Sequence, residues 1–389
     1  MRVYLISAGL ARLADEMVGL ALVLFVLART DSQVLAGAAV AAYTVPSIVS
    51  GPLLGAWLDR TRRPLVALAG NQFLLAAAVV GLLLTAGRVP SAVVLGLAFL
   101  AGAALPMGSG GFTSLLPRLT TDLPRATAAD ALLFNAAALG GPALAGGLTA
   151  VFGVDSAVAT IGGLALLGGL CTLGLRVPLH ETVEHTSLRQ AMRVGVRHLV
   201  STPPLRGATI TTVLSQGAVG LLATALPLHA ARLGHGEGAA GFVWAALEVG
   251  CVVSILALHR HLPRWRPEHA VFGSVAAFGL VLATWPLAPN LAVLLVLGLL
   301  AGVAQGPTLR SLIAVRQRYT PLALLGQVST TGASLKIGAF AVGAAVGGTL
   351  HDTTAVFLAA AATQMIAAGL GVAASAGRVA PTASRGARP

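Results

Sequence analysis

Charged residues are scarce in this chain of 389 residues, where Asp, Glu, Lys and Arg together make up 10%. A soluble domain carries roughly 25% charged residues, so this chain cannot cover a water-facing surface. Apolar residues make up 56% of the sequence, and the mean hydropathy is +0.86. The composition therefore argues against a soluble globular protein and predicts an integral membrane protein.

Other features are also missing, and each absence argues against a class of function. The two cysteines, Cys171 and Cys251, both lie in apolar segments, which argues against a disulfide framework or a metal pair. No G-x-x-x-x-G-K-[ST] run is present, so the chain encodes no ATP-driven pump. No His/Cys cluster has metal-site spacing, and no Ser-His-Asp group stands out. We expect no enzyme activity, no cofactor and no metal.

Lysine is almost absent, since arginine outnumbers it 24 to 1. The net charge of +12 therefore comes from arginine. These arginines form no basic patch on a soluble module, which disfavours nucleic-acid binding. Arginine in place of lysine, together with abundant alanine and glycine, indicates a GC-rich bacterial genome. We therefore expect the protein in the inner (plasma) membrane of a bacterium.

What the sequence does contain is a series of long apolar segments. A helix needs about 20 mainly apolar residues to cross a bilayer, and the chain offers twelve such segments. They are 3–28, 34–57, 65–86, 91–113, 128–151, 154–176, 205–230, 239–258, 269–286, 291–312, 327–350 and 354–375. The first is too long and too charged to be a cleaved signal peptide. The sequence thus predicts an all-α membrane protein with twelve transmembrane helices.

The distribution of basic residues supports this map. With both termini in the cytoplasm, 20 of the 25 basic residues fall in cytoplasmic segments, while Arg29, Arg88 and Arg232 fall outside. The remaining two, Arg12 and Lys336, lie inside spans. This asymmetry follows the positive-inside rule, so we expect both termini on the cytoplasmic side.

A long polar segment separates two groups of six spans. We predict an N-terminal half over 1–176, a cytoplasmic linker over 177–204, a C-terminal half over 205–375 and a disordered basic tail over 376–389. Within the linker, Arg189, Arg193 and Arg197 are four residues apart and share one face of a short amphipathic helix.

The two halves show a weak internal repeat. Ser114-Leu115-Leu116 followed by Pro124 recurs 197 residues later as Ser311-Leu312-Ile313 followed by Pro321. Parallel repeats of six spans occur in secondary transporters. The repeat therefore favours two six-helix pseudo-repeat halves.

The run from Gly55 to Arg63, between spans 2 and 3, holds an acid followed by arginines. With Gly55, Asp59, Arg60 and Arg63, it resembles the G-x-x-x-D-R-x-G-R-[RK] loop of the major facilitator superfamily. It departs from that pattern at Arg62, where the family has glycine, and at Pro64, where the family has the last basic residue. The alternative is a positive-inside anchor with an incidental aspartate.

The resemblance implies the major facilitator fold and a gating role for this loop. It further implies that Asp59 contacts the start of span 11, near Gln327, when the central cavity faces outward. We expect that contact to act as a conformational latch.

Span 5 contains a second pattern, formed by Gly141, Pro142, Gly146 and Gly147. A Gly-Pro followed by paired glycines resembles the fifth-helix signature of facilitator exporters. The resemblance implies antiport and export rather than uptake. The alternative is a glycine packing seam with no bearing on the direction of transport.

Three ionisable residues of span 1, Arg12, Asp15 and Glu16, share one helix face about midway across the membrane. Such groups are costly in lipid and usually face a cavity or each other. One acid can neutralise Arg12, which leaves the other as a candidate proton carrier or cation-binding group. Asp15 also falls where exporters of the macrolide-efflux type carry a Gly-Asp pair, although Ala14 precedes it here. The alternative is a self-satisfied structural triad.

Glu248 in span 8 and Lys336 in span 11 are the matching charges of the second half. We expect both to face the central cavity, where they either pair or bind substrate separately, with pairing favoured. Span 4 carries no charge, whereas many proton-coupled exporters of this superfamily have an arginine there. Any proton coupling must then use other residues, and span 1 is the obvious candidate.

These observations predict a monomeric secondary transporter that exports a small, largely hydrophobic compound, such as a drug or natural product, in exchange for protons. Its partners would be that compound, protons and the lipid bilayer. Two alternatives remain open: an uptake permease of the same fold, and a membrane scaffold or receptor that does not transport. Buried charges in both halves favour transport, because a scaffold gains nothing from their cost.

Overall fold

The computed structural model of the protein describes residues 1–177, 187–235, 239–258, 261–350 and 352–376. Regular structure in these residues is helical, as the sequence predicts. Six long helices form the first half of the chain. They are α1 (Arg2–Thr30), α2 (Gln33–Arg60), α3 (Pro64–Thr85), α4 (Ser91–Ser114), α5 (Leu123–Phe152) and α6 (Val154–Leu173).

A shorter helix, α7 (Leu188–Ser201), leads into six further long helices. They are α8 (Pro203–Arg232), α9 (Ala240–Leu258), α10 (Pro267–Leu282), α11 (Leu291–Tyr319), α12 (Leu325–Gly348) and α13 (Thr353–Ser375). The predicted twelve long helices in two groups of six are confirmed. Residues 178–186 of the predicted linker, Arg260 and the tail from 377 onward lie outside the described residues.

Local sequence signals set several helix boundaries. Ser32, Asp122 and Asn290 precede α2, α5 and α11, and each accepts a hydrogen bond from a backbone N–H three residues on, at 3.1, 3.3 and 3.0 Å. Such caps satisfy N–H groups that have no acceptor within the helix. Gly153, with φ of 85°, allows the chain to turn directly from α5 into α6.

Each half has its own apolar core. The largest cluster of the first half contains Met17, Phe25 and Leu75, and that of the second half contains Phe278 and Trp285. No apolar cluster among the described residues includes side chains of both halves. The halves are therefore separate packing units, and other contacts must join them.

Ten of the described helices are long and apolar enough to cross a membrane. The two other long helices are α1, which carries Arg12, Asp15 and Glu16, and α12, which carries Lys336 and a run of Gln, Ser and Thr. Much of this polarity is buried inside the bundle, since Arg12 is 2% exposed. These two helices thus turn much of their polar surface towards the interior of the bundle.

Two helices extend further than the apolar segments predict. α11 continues to Tyr319 instead of ending at 312, so Arg316 is a buried helix residue rather than a loop residue. α5 begins at Leu123 rather than 128 and is 30 residues long. A helix of that length measures about 45 Å and extends beyond a hydrocarbon core of roughly 30 Å.

The helices run alternately in opposite directions, so α2 ends where α7 and α8 begin. We call this end of the bundle the linker face and the opposite end the far face. All three predicted arginines of α7, Arg189, Arg193 and Arg197, are exposed there.

Candidate functional site

The linker face is closed by a contact between α2 and α12. Asp59, near the end of α2, accepts hydrogen bonds from the backbone N–H groups of Gly326 at 2.8 Å and Gln327 at 2.7 Å. These N–H groups belong to the first turn of α12, where they lack an intrahelical acceptor and the helix dipole is positive. One carboxylate therefore caps a helix of the other half, which is the contact expected from the sequence.

The same face of α2 continues this contact towards the middle of the bundle. The carbonyl of Gly51 accepts a hydrogen bond from the hydroxyl of Thr330 at 2.6 Å, and the carbonyl of Ser47 accepts one from Ser334. Ser47, Gly51 and Asp59 are multiples of four residues apart, so they share one helix face. We call this contact between α2 and α12 the seam.

The remaining residues of the predicted loop motif differ in their surroundings. A Cβ at Gly55 would lie 2.5 Å from Gln327 Cα, so glycine allows the two backbones to approach at the seam. Arg60 is half-buried and Arg63 is exposed. Neither arginine forms a salt bridge within the described part of the chain. Gly55 and Asp59 are thus the motif residues that join the halves.

Other polar contacts between the halves cluster at the same end. Arg118 Nη2 donates to the Leu322 carbonyl at 3.4 Å, the Thr127 hydroxyl donates to Gln317 Oε1 at 3.0 Å, and Arg310 Nη2 donates to the Pro124 carbonyl at 3.4 Å. Gln327 Nε2 also donates to the Met192 carbonyl of α7 at 2.6 Å. Among the described residues, no hydrogen bond joins the halves at the far face. The space between the halves is therefore closed at the linker face.

A buried ion pair joins α1 to α5 within the first half. Arg12 Nη1 lies 2.8 Å from Asp130 Oδ1, and Nη2 lies 3.1 Å from Oδ2; the side chains are 2% and 1% exposed. The hydroxyls of Tyr4 and Thr113 donate to the same carboxylate at 2.7 and 2.9 Å. Asp130 thus receives a bidentate guanidinium and two further donors, an arrangement that satisfies a buried charge.

This pair corrects the expectation that Asp15 or Glu16 neutralises Arg12. Spacing along α1 permits that contact. The Asp130 carboxylate of α5, however, accepts hydrogen bonds from both terminal nitrogens of the Arg12 guanidinium, and neither acid of α1 does so. Asp130 is the functional-site residue that sequence reasoning missed. The signal was present, because an isolated acid in a predicted span needs a partner.

Asp15 and Glu16 are consequently left without an ion pair. Both are half-buried, and neither carboxylate forms a hydrogen bond or salt bridge with a described residue. The charge of Glu16 interacts with that of Arg12 and, across the two halves, with those of Lys336 in α12 and Glu248 in α9. Glu16 of the first half therefore lies close enough to two charges of the second half for them to interact.

The favoured pairing of Glu248 with Lys336 is not present. No salt bridge joins them, and each interacts with Glu16 instead. Glu248 Oε2 is buried without a hydrogen-bond partner. The described residues contain no group of three His, Cys, Asp or Glu side chains that could hold a metal ion. The central charges are thus separate groups available to a substrate or a proton.

α4 carries a feature that the sequence analysis did not identify. After Pro106 the helix widens into a π-helical turn over Met107–Gly111, a rare conformation that often marks functional sites. A Cβ at Gly108 would overlap a carboxylate oxygen of Asp15, and one at Gly110 would lie 2.7 Å from the backbone of Ser329 and Thr330 in α12. The signal in the sequence was a proline followed by three glycines in five residues. We call Met107–Gly111 the π segment.

The π segment also connects to the buried ion pair. The hydroxyl of Thr113, which donates to Asp130, lies 3.0 Å from the carbonyl of Ser109. One short segment thus touches the acid in α1, the network around Asp130 and the seam.

The Gly-Pro motif of α5 lies against α1. A Cβ at Gly141 would lie 2.6 Å from Glu16 Cβ, so glycine permits close approach at the level of the acidic pair. Pro142 and Gly147 are exposed, and Gly146 is half-buried beside Leu20 at an ordinary contact distance of 3.6 Å. Of the four motif residues, Gly141 is the one that positions a candidate site residue.

Comparisons with known proteins agree with this architecture. A model of the Major Facilitator Superfamily matches residues 4–336. A protein of Sinorhizobium fredii described as uncharacterized MFS-type transporter y4rN is 33% identical over 379 residues, covering 94% of this chain and 92% of that protein.

Solved structures are similar in fold. The human organic anion transporter MFSD10 superposes with a TM-score of 0.73 at 18% identity, covering 96% of this chain and 97% of that one. A bacterial homologue of the iron transporter ferroportin, in its outward-facing state, gives 0.72 at 17% identity, covering 96% and 99%. The proton:xylose symporter XylE gives 0.68 at 14% identity, covering 96% and 94%. At these identities the likeness concerns the fold.

Replacing Asp59 with asparagine is expected to loosen the linker face. Hydrogen bonds to a charged acceptor contribute roughly 1.5–3 kcal/mol, so the closed form should lose at least about tenfold in population relative to the open form. The measurement is the rate at which a maleimide modifies a Ser334→Cys seam cysteine in detergent, in a background lacking Cys171 and Cys251. Asp122→Asn is the matched control, because Asp122 caps α5 within its own half. Equal rates in Asp59→Asn and its parent would contradict the role of Asp59.

Breaking the buried pair should destabilise the first half strongly. Arg12→Met or Asp130→Asn leaves an uncompensated buried charge, which costs roughly 3–5 kcal/mol, whereas the double variant Arg12→Met/Asp130→Leu should lose less than either. The measurement is the thermal midpoint of the detergent-solubilised protein. The control is Arg29→Gln, which breaks an exposed pair with Asp155 worth at most about 1 kcal/mol. Additive losses in the double variant would show that the two residues do not act as a pair.

Proposed function

Because the chain belongs to the Major Facilitator Superfamily, it is a multi-pass membrane transporter rather than an enzyme, and we propose that it exports a small, largely hydrophobic compound in exchange for protons. The observation that carries this proposal is the unpaired state of Asp15 and Glu16, which face or adjoin the space between the halves. An acid without a fixed partner can gain and lose a proton during a transport cycle.

We propose that the linker face is cytoplasmic and that the protein resides in the bacterial plasma membrane with both termini inside. The support is the charge distribution: the exposed arginines Arg62, Arg63 and the three of α7 belong to the linker face, whereas Arg29 and Arg88 belong to the far face. In this orientation the contacts of the linker face close the space between the halves to the cytoplasm.

The substrate site in this proposal is the space between the halves, with Glu16, Glu248 and Lys336 as its charged groups. The two six-helix halves share no apolar core among the described residues, so they can rock about the site without breaking hydrophobic packing. Apolar helix surface would bind the body of the compound, and the charges would orient its polar group.

Coupling to protons would follow from the position of Glu16 between the halves. The charge of Glu16 interacts with those of Lys336 and Glu248. Both lie in the other half, so rocking changes their distances to Glu16 and therefore its readiness to bind a proton. In this scheme Lys336 takes the switching role that the sequence had suggested for Arg12, because Arg12 is held by Asp130.

The π segment would transmit this change to the seam. Gly108 touches Asp15, and Gly110 packs on Ser329 and Thr330 of the opposite half. A change in the charge or position of Asp15 would thus reach the contacts that close the linker face. Gly141, which allows α5 to approach Glu16, supports the export direction through its place in the exporter motif.

An uptake permease would use the same fold and the same charges with the opposite net direction. A scaffold or receptor would retain the fold but need no change in exposure of the cavity. The direction of substrate movement and its response to a pH gradient separate these alternatives from proton-coupled export.

We expect Asp15→Asn and Glu16→Gln each to reduce export and to weaken its dependence on a pH gradient. A panel of hydrophobic fluorescent compounds in an efflux-deficient bacterial host identifies a substrate, and inside-out vesicles with an imposed gradient then give the rates. Asp155→Asn, an exposed acid near the far face, is the control and should export at the parental rate. Parental rates and pH dependence in both variants would contradict the coupling role. Uptake by the host would favour the permease.

Gly110→Val tests whether the π segment supports closure of the linker face. The added side chain would collide with the α12 backbone. The population of the form with an open linker face should therefore rise, and release of substrate to the outside should slow. The readouts are maleimide modification of a Ser334→Cys cysteine and the export rate. Gly96→Val, in the same helix with open space around it, is the matched control. A parental labelling rate in Gly110→Val would show that this contact does not limit closure.

A further inference from the structure

A cavity lies at the linker face, apart from the central charges. It has a volume of about 290 Å³ and is bounded by the first turns of α5 on one side and by α11 and the residues between α9 and α10 on the other. Its walls therefore come from both halves. We call it the lateral cavity.

The lining of the lateral cavity combines apolar side chains with basic ones. Leu123, Leu262 and Trp265 contribute the apolar part, while Arg310 and Arg318 contribute positive charge. No acidic side chain of the described residues lines it. The cavity is therefore suited to an anion that carries an apolar portion.

The polar part of the wall runs from a buried to an exposed side chain. Arg310 is 5% exposed, Gln317 is half-buried and Arg318 is exposed. Gln317 accepts a hydrogen bond from Thr127 through Oε1, which leaves its Nε2 without a partner among the described residues. A neutral donor and a guanidinium thus border one cavity, as expected for recognition of phosphate or carboxylate oxygens.

The position of the cavity identifies the source of such a ligand. It lies at the start of α5 and in the last turns of α11, where these long helices leave the hydrocarbon region. Trp265 is 52% exposed at its mouth, and tryptophan is enriched at the level of lipid headgroups. A molecule that brings an anionic group to this level together with an apolar chain is an anionic phospholipid.

We propose that the lateral cavity binds the headgroup of an anionic phospholipid and that this lipid stabilises the closed linker face. Arg310 donates to the Pro124 carbonyl, and Thr127 donates to Gln317, so opening of the linker face would separate the walls and dismantle the site. A ligand that binds one conformation better shifts the equilibrium towards it. This proposal is independent of the transported compound and of its coupling ion.

The test is lipid binding to the full-length protein, purified, delipidated and titrated in native mass spectrometry. The probes are phosphatidylglycerol and phosphatidylcholine with the same acyl chains, with inorganic phosphate as a competitor. We expect one preferred phosphatidylglycerol per chain that excess phosphate does not displace. Arg310→Gln/Arg318→Gln should weaken it about 30-fold, since each arginine near an anionic lipid contributes about fivefold. The control Arg189→Gln/Arg193→Gln removes two exposed arginines of the same face that do not line the cavity.

A second variant keeps the test decisive if loss of Arg310 impairs folding. Ala314→Trp fills the cavity without removing a charge and should also abolish the preference, while circular dichroism and size-exclusion profiles stay parental. Equal affinity for phosphatidylcholine, displacement by inorganic phosphate, or parental binding in Ala314→Trp would each overturn the proposal. Phosphatidylglycerol should also slow maleimide modification of the Ser334→Cys cysteine, and an unchanged rate would remove the link to closure.

Discussion

The closed arrangement of this protein depends on one carboxylate, that of Asp59, and the two backbone N–H groups that it binds at the start of α12. These N–H groups have no acceptor in their own helix. Asp59 replaces water as their hydrogen-bond acceptor and places a negative charge at the positive end of a helix dipole. No apolar cluster among the described residues spans both halves, so such polar contacts hold the linker face shut. A contact of this kind is strong enough to select a conformation and weak enough to be reversed.

Charges inside one half and charges between the halves have different consequences. Arg12 and Asp130 belong to the same six-helix unit, so their bidentate pair persists whichever face of the protein is open. Glu16, Glu248 and Lys336 belong to different units, and their mutual interactions must change when the halves move. Because both terminal nitrogens of Arg12 are bound to Asp130, neither acid of α1 forms an ion pair with it, and Glu16 also interacts with charges of the second half. The Arg12–Asp130 pair thus stays fixed, while the interactions of Glu16 with Glu248 and Lys336 can change.

Sequence reasoning predicted most of the fold, since apolar length and arginine asymmetry respond to the bilayer, which acts on every span alike. It also predicted the contact of Asp59 with α12, because the loop motif is contiguous. It was wrong about the partner of Arg12 and about pairing between Glu248 and Lys336. Those contacts join helices distant in sequence, where spacing along one helix carries no information. The π segment was missed because helical periodicity does not report an extra residue in a turn, although Pro106 and the glycines after it were visible.

The two long helices that are too charged or too polar to count as membrane spans by composition, α1 and α12, carry much of the candidate site. α1 carries Asp15 and Glu16, and α12 carries Lys336 as well as the backbone groups bound by Asp59. A helix at the lipid perimeter cannot tolerate such polarity, whereas one inside the bundle can satisfy it through neighbours. Burial of α1 and α12 therefore permits the charges that transport requires, and the small residues of α2 and α4 that pack on them exist because backbones must come close there. One requirement underlies the glycines at the seam and in the π segment, the acids in α1, and the N–H groups at the start of α12 that lack an intrahelical acceptor. The two halves must exchange polar contacts without exposing an apolar core.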